Sequence, residues 1–157
     1  MDTLLAVQLQ AYLRGQHVHD MPTRLAIVFS KIPSTPRPWL PLFADVAVRR
    51  GDVAMIEFLL SRGLDPAPFL SRARTARAAA ALIRGGARVD RKDTRGLTPL
   101  MVAVRAGNIA VARELLINGD PSKKDRTGTA VVAMTRDRKM KNLVREFLDL
   151  QNAFFDN

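Results

Sequence analysis

The chain has no cysteine. That excludes a disulfide framework, a thiolate zinc site and a cysteine nucleophile. Histidine occurs only at His17 and His19. With Asp20 they form the one metal-like grouping, but no distant residue completes a ligand set, so they read as a polar turn and no metal is expected. Aromatic residues make up 6% of the chain, while Ala and Leu are abundant, a mix that favours close helix packing over a β-sandwich. No apolar stretch approaches the ~20 residues of a membrane-spanning helix. The N-terminus, MDTLLAVQLQAYLRG, carries an acid at position 2 and no basic leader, which argues against a signal peptide. The P-loop, the dinucleotide fingerprint, the nucleophile elbow and H-E-x-x-H are all absent. These absences predict a non-enzymatic protein without a cofactor, intracellular and cytoplasmic, with no membrane partner and monomeric by itself.

Acidic side chains are the other shortage. There are 15 Asp and Glu against 25 Lys and Arg, a net charge of +10, and only six of the bases are Lys. Arginine is the better bidentate partner for carboxylate and phosphate, so this balance points to an acidic protein surface or to RNA. A bias towards Arg and Ala codons would give the same count. The charge is concentrated: residues 71–95 hold eight basic and two acidic residues.

The 157 residues suit one domain with a sizeable core. Helical spacing of Leu4, Leu5, Leu9, Tyr12 and Leu13 predicts a helix over 3–14, and Pro22 opens a second over 22–31. IPSTPRPWLP (32–41) carries four prolines and reads as an extended linker. The chain then repeats itself. AVRRGDVAMIEFLLSRGLDP (47–66) and AVRAGNIAVARELLINGDP (103–121) agree at ten of nineteen aligned positions with one gap opposite Leu64. Such self-similarity signals a stacked-repeat architecture. Each unit has a short helix ending at Gly51 or Gly107. A second helix buries a Leu-Leu pair and ends at Gly63 or Gly119, where a left-handed C-cap is expected. Gly63 to Gly86 spans 23 residues and Gly86 to Gly119 spans 33, so a shortened repeat lies between fuller ones. It keeps a second helix near 76–84 but lacks room for a full loop and first helix.

DTRGLTPLMVAVRAGNIAVARELLINGDP, from Asp93, has Asp93, Gly96, Thr98, Pro99, Leu100, Ala103, Gly107, Leu115, Leu116 and Gly119 at the positions typical of an ankyrin repeat, and the chain from about 38 to 150 resembles that family. The resemblance implies an all-α, ankyrin-like helical-repeat solenoid with short β-hairpin finger loops, preceded by an N-terminal helical cap. Its divisions would be a cap at 1–36 and repeats at 37–66, 67–90 (truncated), 91–124 (the best copy) and 125–157 (a C-terminal capping repeat). Thr98 would cap the first helix and Pro99 would open it. Met101 stands where the family usually has His, so that residue's hydrogen bonds are expected to be lost.

The resemblance also implies a protein–protein interaction module, an adaptor, inhibitor or complex subunit, docking through fingers and a concave groove. An RNA-associated subunit binding phosphates is the alternative. The expected contacts are Arg91, Lys92 and Arg95 on the best finger, and Lys124 and Arg126, beside Lys123, on the last. Groove positions carried over are Met101, Arg105 and Ala106, matched by Asp45, Arg49 and Arg50 and by Ala133, Asp137 and Arg138. Arg49, Arg105 and Arg138 would form a basic ladder. Trp39 is open to two readings, a cover for the first helix pair or a binding hot spot. Phe154 and Phe155 either fold back beside Leu148 or anchor a partner.

Overall fold

The computed structural model describes residues 7, 10–12, 14, 22–23 and 40–155. Six α-helices are delimited there: α1 (Leu40–Arg50), α2 (Val53–Ser61), α3 (Ala76–Arg84), α4 (Pro99–Arg105), α5 (Ile109–Asn118) and α6 (Arg138–Phe155). Two 3-10 turns, Leu70–Arg72 and Val131–Met134, stand between them. Helix α1, the first 3-10 turn, α4 and the second 3-10 turn contact one another in that order and form an inner layer. Helices α2, α3, α5 and α6 do the same in an outer layer.

The outer helices start on a side-chain oxygen. Asp52 accepts from the Met55 amide (3.1 Å), Thr75 from Ala78 (3.2 Å) and Asn108 from Val111 (3.1 Å). Asp137 accepts from Lys139 (2.7 Å) and Met140 (3.3 Å) at the start of α6. Each bond satisfies a first-turn amide that the helix itself leaves without a partner. The inner helix α4 uses Thr98, whose Oγ1 accepts from the Met101 amide at 3.3 Å. Met101 returns the favour: its thioether accepts from the Thr98 amide at 3.4 Å. The expected loss at this position is therefore made good in part by sulfur, a weak acceptor.

Between the layers, Leu59, Leu82 and Leu115 are at most 1% exposed, and each such side chain stabilises by ~1.5–3 kcal/mol. They fall 23 and 33 residues apart, the spacing of the repeat glycines. Small residues set the approach of repeats: Ala78, Ala79 and Ala81 of α3 are buried. At Gly51 (φ +74°) a Cβ would come within 2.5 Å of Thr75 Oγ1.

Tyr12 closes the N-terminal end. Residues 10–12 are helical, the Tyr12 hydroxyl donates to Asp52 Oδ2 at 2.9 Å, and its ring stacks on Phe43 at 6.0 Å. Burial first, then the Asp52 carboxylate, raises the Tyr12 pKa and keeps the hydroxyl a neutral donor. Val7 is helical too, Arg14 closes that turn by donating its amide to the Gln10 carbonyl at 2.9 Å, and Pro22 and Thr23 are helical; the rest of the expected helices 3–14 and 22–31 lies outside the described residues.

Several expectations need correction. The linker 32–41 does not run to its end, because Leu40 and Pro41 form the first turn of α1, where a proline amide has no partner to lose. Gly119 is extended (φ −134°, ψ 179°), unlike Gly63 (φ +88°) and Gly86 (φ +92°). Its repeat lacks the residue equivalent to Leu64, whose amide closes the earlier helix on the Leu59 carbonyl. Glycine is required there for another reason: a Cβ would meet the Leu115 carbonyl oxygen at 2.9 Å and Asp90 Oδ1 at 3.1 Å. Phe154 does not fold back, since α6 continues through it and leaves it 81% exposed.

Truncating Leu115 to Ala should destabilise the fold by ~2–5 kcal/mol, read from urea unfolding followed by circular dichroism. Asn108→Ala removes a cap and should cost ~0.5–2 kcal/mol in the same measurement.

Candidate functional site

The loops before α4 and before the second 3-10 turn share one frame. Asp93 Oδ1 accepts from the amides of Arg95 and Leu97, both at 2.9 Å. Asp125 Oδ1 accepts from those of Thr127 and Thr129, also at 2.9 Å. The Asp93 amide donates to the Leu97 carbonyl at 2.8 Å and that of Asp125 to Thr129 at 3.2 Å. Gly96 (φ +80°) and Gly128 (φ +77°) make the left-handed turn. No strand forms among the described residues. The hairpin character of the fingers is reduced to these bonds and one isolated antiparallel bridge, Lys124 to Ala130.

The two fingers are fastened to each other. Lys92 Nζ donates to the Lys124 carbonyl at 2.7 Å, and the Arg126 side chain lies over Gly96, in the space a Cβ would need. Arg95 binds the carboxylate of its own finger, Nε to Asp93 Oδ2 at 3.0 Å. The Leu97 amide and Arg95 hold the Asp93 carboxyl below its ordinary range. The Thr127 hydroxyl and the Thr129 amide do so for Asp125, with Arg105 adding its charge. Arg91, Lys92, Arg95, Lys124 and Arg126 are exposed on this frame, and Arg105 is exposed at the end of α4.

In the inner layer, Asp45 is shared by two arginines, at 2.7 Å from Arg49 Nη2 and 2.8 Å from Arg72 Nη1. Arg72 is a residue that sequence reasoning left off the ladder, although the signal was present. Arg49, Arg72 and Arg105 are separated by 23 and 33 residues, as are the repeat glycines. By these offsets Arg49, Arg72 and Arg105 hold equivalent positions in successive repeats, and Arg138 is set apart from them by the fold rather than by the spacing. The last inner helix has shrunk to the 3-10 turn Val131–Met134, Asp137 caps α6, and Arg138 is the first residue of that outer helix.

Two other groove assignments also change. Met101 is fully buried and belongs to the core. Arg50 turns to the N-terminal segment, its guanidinium carbon 5.0 Å from the Tyr12 ring centroid. Trp39, His17, His19 and Asp20 lie outside the described residues.

Two clefts open on this face. One, about 520 Å³, separates Ala67, Pro68 and Arg72 of the shortened repeat from the finger 91–95. The other, also about 520 Å³, has Arg49, Arg72, Arg74 and Asn108 on its walls. Asn108 Nδ2 donates to the Arg74 carbonyl there at 2.8 Å, tying the shortened repeat to the next.

The finger frame carries a pH dependence. Asp93 and Asp125 titrate below their ordinary 3.8 when folded. Their stabilisation is therefore complete above that value and lost as pH falls through the lowered one. Hydrogen exchange should show the Leu97 and Thr129 amides losing protection in that acid window. Asp93→Asn should weaken Leu97 protection already near neutral pH and flatten its acid response.

A family model described as ankyrin repeats (3 copies) matches residues 35–125. Among solved structures, the chain is similar to the ankyrin repeat domain of Bcl-3, described as a unique member of the IkappaB protein family. The TM-score is 0.66 and the identity 24%, over 79% of this chain and 62% of that one, a likeness of fold. The chain thus spans less than two thirds of that structure. No curated protein matches it. No described helix is long and apolar enough to cross a membrane. With the capped helix pairs, the Thr98-Pro99-Leu100 start and the two Asp-centred fingers, the match over residues 35–125 means that the chain belongs to the ankyrin-repeat family, a non-catalytic interaction fold.

Proposed function

We propose that the chain is a protein-docking module that receives an acidic surface of its partner across the two fingers and the arginine rung of the inner layer. The observation that carries this reading is the fastening of the fingers. Lys92 bonded to Lys124 and Arg126 laid over Gly96 hold Arg91, Arg95 and Lys124 on one frame, with Arg105 beside Asp125. Pre-set guanidinium groups lose little freedom on meeting carboxylates, and charge-assisted pairs are the stronger hydrogen bonds. Complementary charge of this kind also speeds encounter and rejects basic surfaces. Adaptor, inhibitor and complex subunit are all roles such a surface serves.

Replacing Arg91, Arg95 and Arg105 together by Glu should abolish partner capture while the helical circular dichroism spectrum is retained. Capture is measured by affinity purification with mass spectrometry, with and without nuclease. Undiminished capture by the triple variant overturns the reading. Capture that disappears with nuclease favours an RNA-associated role, in which the same arginines meet phosphates and binding falls steeply with salt.

A further inference from the structure

We propose that the gap left by the shortened repeat is the specificity site of this surface, and that it takes an extended acidic peptide segment of the partner with apolar side chains between its acids. The inference rests on the docking reading above and adds where, and by what chemistry, the partner inserts.

The gap has a sequence origin. The step from Gly63 to Gly86 is ten residues shorter than the step from Gly86 to Gly119. What is missing is a finger and most of an inner helix, of which the 3-10 turn Leu70–Arg72 remains. The finger 91–95 is fastened to its neighbour on one side through Lys92 and Lys124. On the other side it has no counterpart to lean on and flanks the open cleft of about 520 Å³ instead.

The chemistry of that cleft is two-layered. Leu97, Pro99, Val102 and Pro68 give it apolar walls, and Arg72, Arg91, Lys92 and Arg95 stand among its lining. Of the acids near it, Asp93 is engaged by Arg95 and Asp45 by Arg49 and Arg72, while Asp65 accepts from the Ala67 amide at 3.0 Å. The Asp45 carboxylate held by two arginines is an internal example of the contact a partner carboxylate would make. The second cleft shares Ser71, Arg72 and Val102 with the first and continues the basic lining to Arg49 and Arg74.

An extended strand suits a trough of this kind, because its successive side chains face opposite ways. Alternate acids can reach the arginines while the residues between them reach Leu97, Pro99 and Val102. A single-stranded nucleic acid fits less well. Neither cleft has an aromatic side chain in its lining, and base stacking needs one.

The test uses the full chain and a fluorescent peptide alternating Glu and Leu, followed by anisotropy. A peptide alternating Ser and Leu and a short oligouridylate serve as comparisons. Ala67→Trp fills the cleft without changing charge, and Pro68→Trp, at an exposed position, is a second plug should the first disturb folding. Arg91→Gln with Arg95→Gln removes charge without adding bulk. The Glu-Leu peptide should bind, and either kind of change should weaken it by roughly tenfold.

Binding that survives both plugs but is lost in the Arg91, Arg95 and Arg105 to Glu variant overturns the cleft and leaves the docking surface standing. Binding indifferent to plugs and charge reversal alike overturns both. Equal binding of the Ser-Leu peptide overturns the acidic assignment, and tighter binding of the oligouridylate overturns the peptide.

Discussion

The structure depends on the column of caps at the start of the outer helices. Asp52, Thr75, Asn108 and Asp137 each spend a side-chain oxygen on their own helix. Helices of nine or ten residues, such as α2, α3 and α5, are marginal alone, so their starts need fixing before their leucines can meet. Two of the caps also reach the previous repeat. Thr75 fills the space above Gly51, and Asn108 bonds the Arg74 carbonyl. The residue that begins a helix thus also sets how the next repeat stacks, and the core leucines and surface arginines inherit their registers from it. At the N-terminal end Asp52 completes the pattern, capping α2 with one oxygen and holding Tyr12 with the other.

Much of this was legible in the sequence because repeats write each constraint more than once. The glycines, the Leu-Leu pairs and Thr98-Pro99-Leu100 located the helices and the shortened repeat. The same offsets also carry Arg49, Arg72 and Arg105, although the missing finger and inner helix around Arg72 obscure its place in the series. Failures came where one repeat departs from the others. A register copied from α4 assumed that the last inner helix exists. Asp137 ahead of Met140, Leu143 and Val144 is instead the start signal of the outer helix, which moves Arg138 out of the groove. Family position puts Met101 in the groove, but a long apolar side chain behind a capped turn is buried. Gly119 shows that one missing residue changes a cap, since without an equivalent of Leu64 the chain leaves α5 extended.

The charge of the surface is similarly organised by few acids. Exposed ion pairs contribute little to stability, typically ~0–1 kcal/mol. The Asp45 and Asp93 pairs matter more for where they hold Arg49, Arg72 and Arg95. Asp93 and Asp125 in addition accept backbone amides, so each finger is built around one half-exposed carboxylate. A strongly basic chain therefore owes the geometry of its cationic face to a handful of carboxylates.

Helix α3 has a further consequence for how the chain tolerates change. It stands in the shortened repeat between α2 and α5 and contacts both, with no full inner helix behind it. Its buried face is Ala78, Ala79, Ala81 and Leu82, so three of the four residues it gives to its neighbours carry only a methyl group. A leucine in a core can exchange with isoleucine or methionine at modest cost. An alanine at a helix contact has no apolar substitute of equal volume, and the one smaller residue is glycine, which weakens the helix by ~1 kcal/mol. The plainest residues in the chain are in this way among its least replaceable.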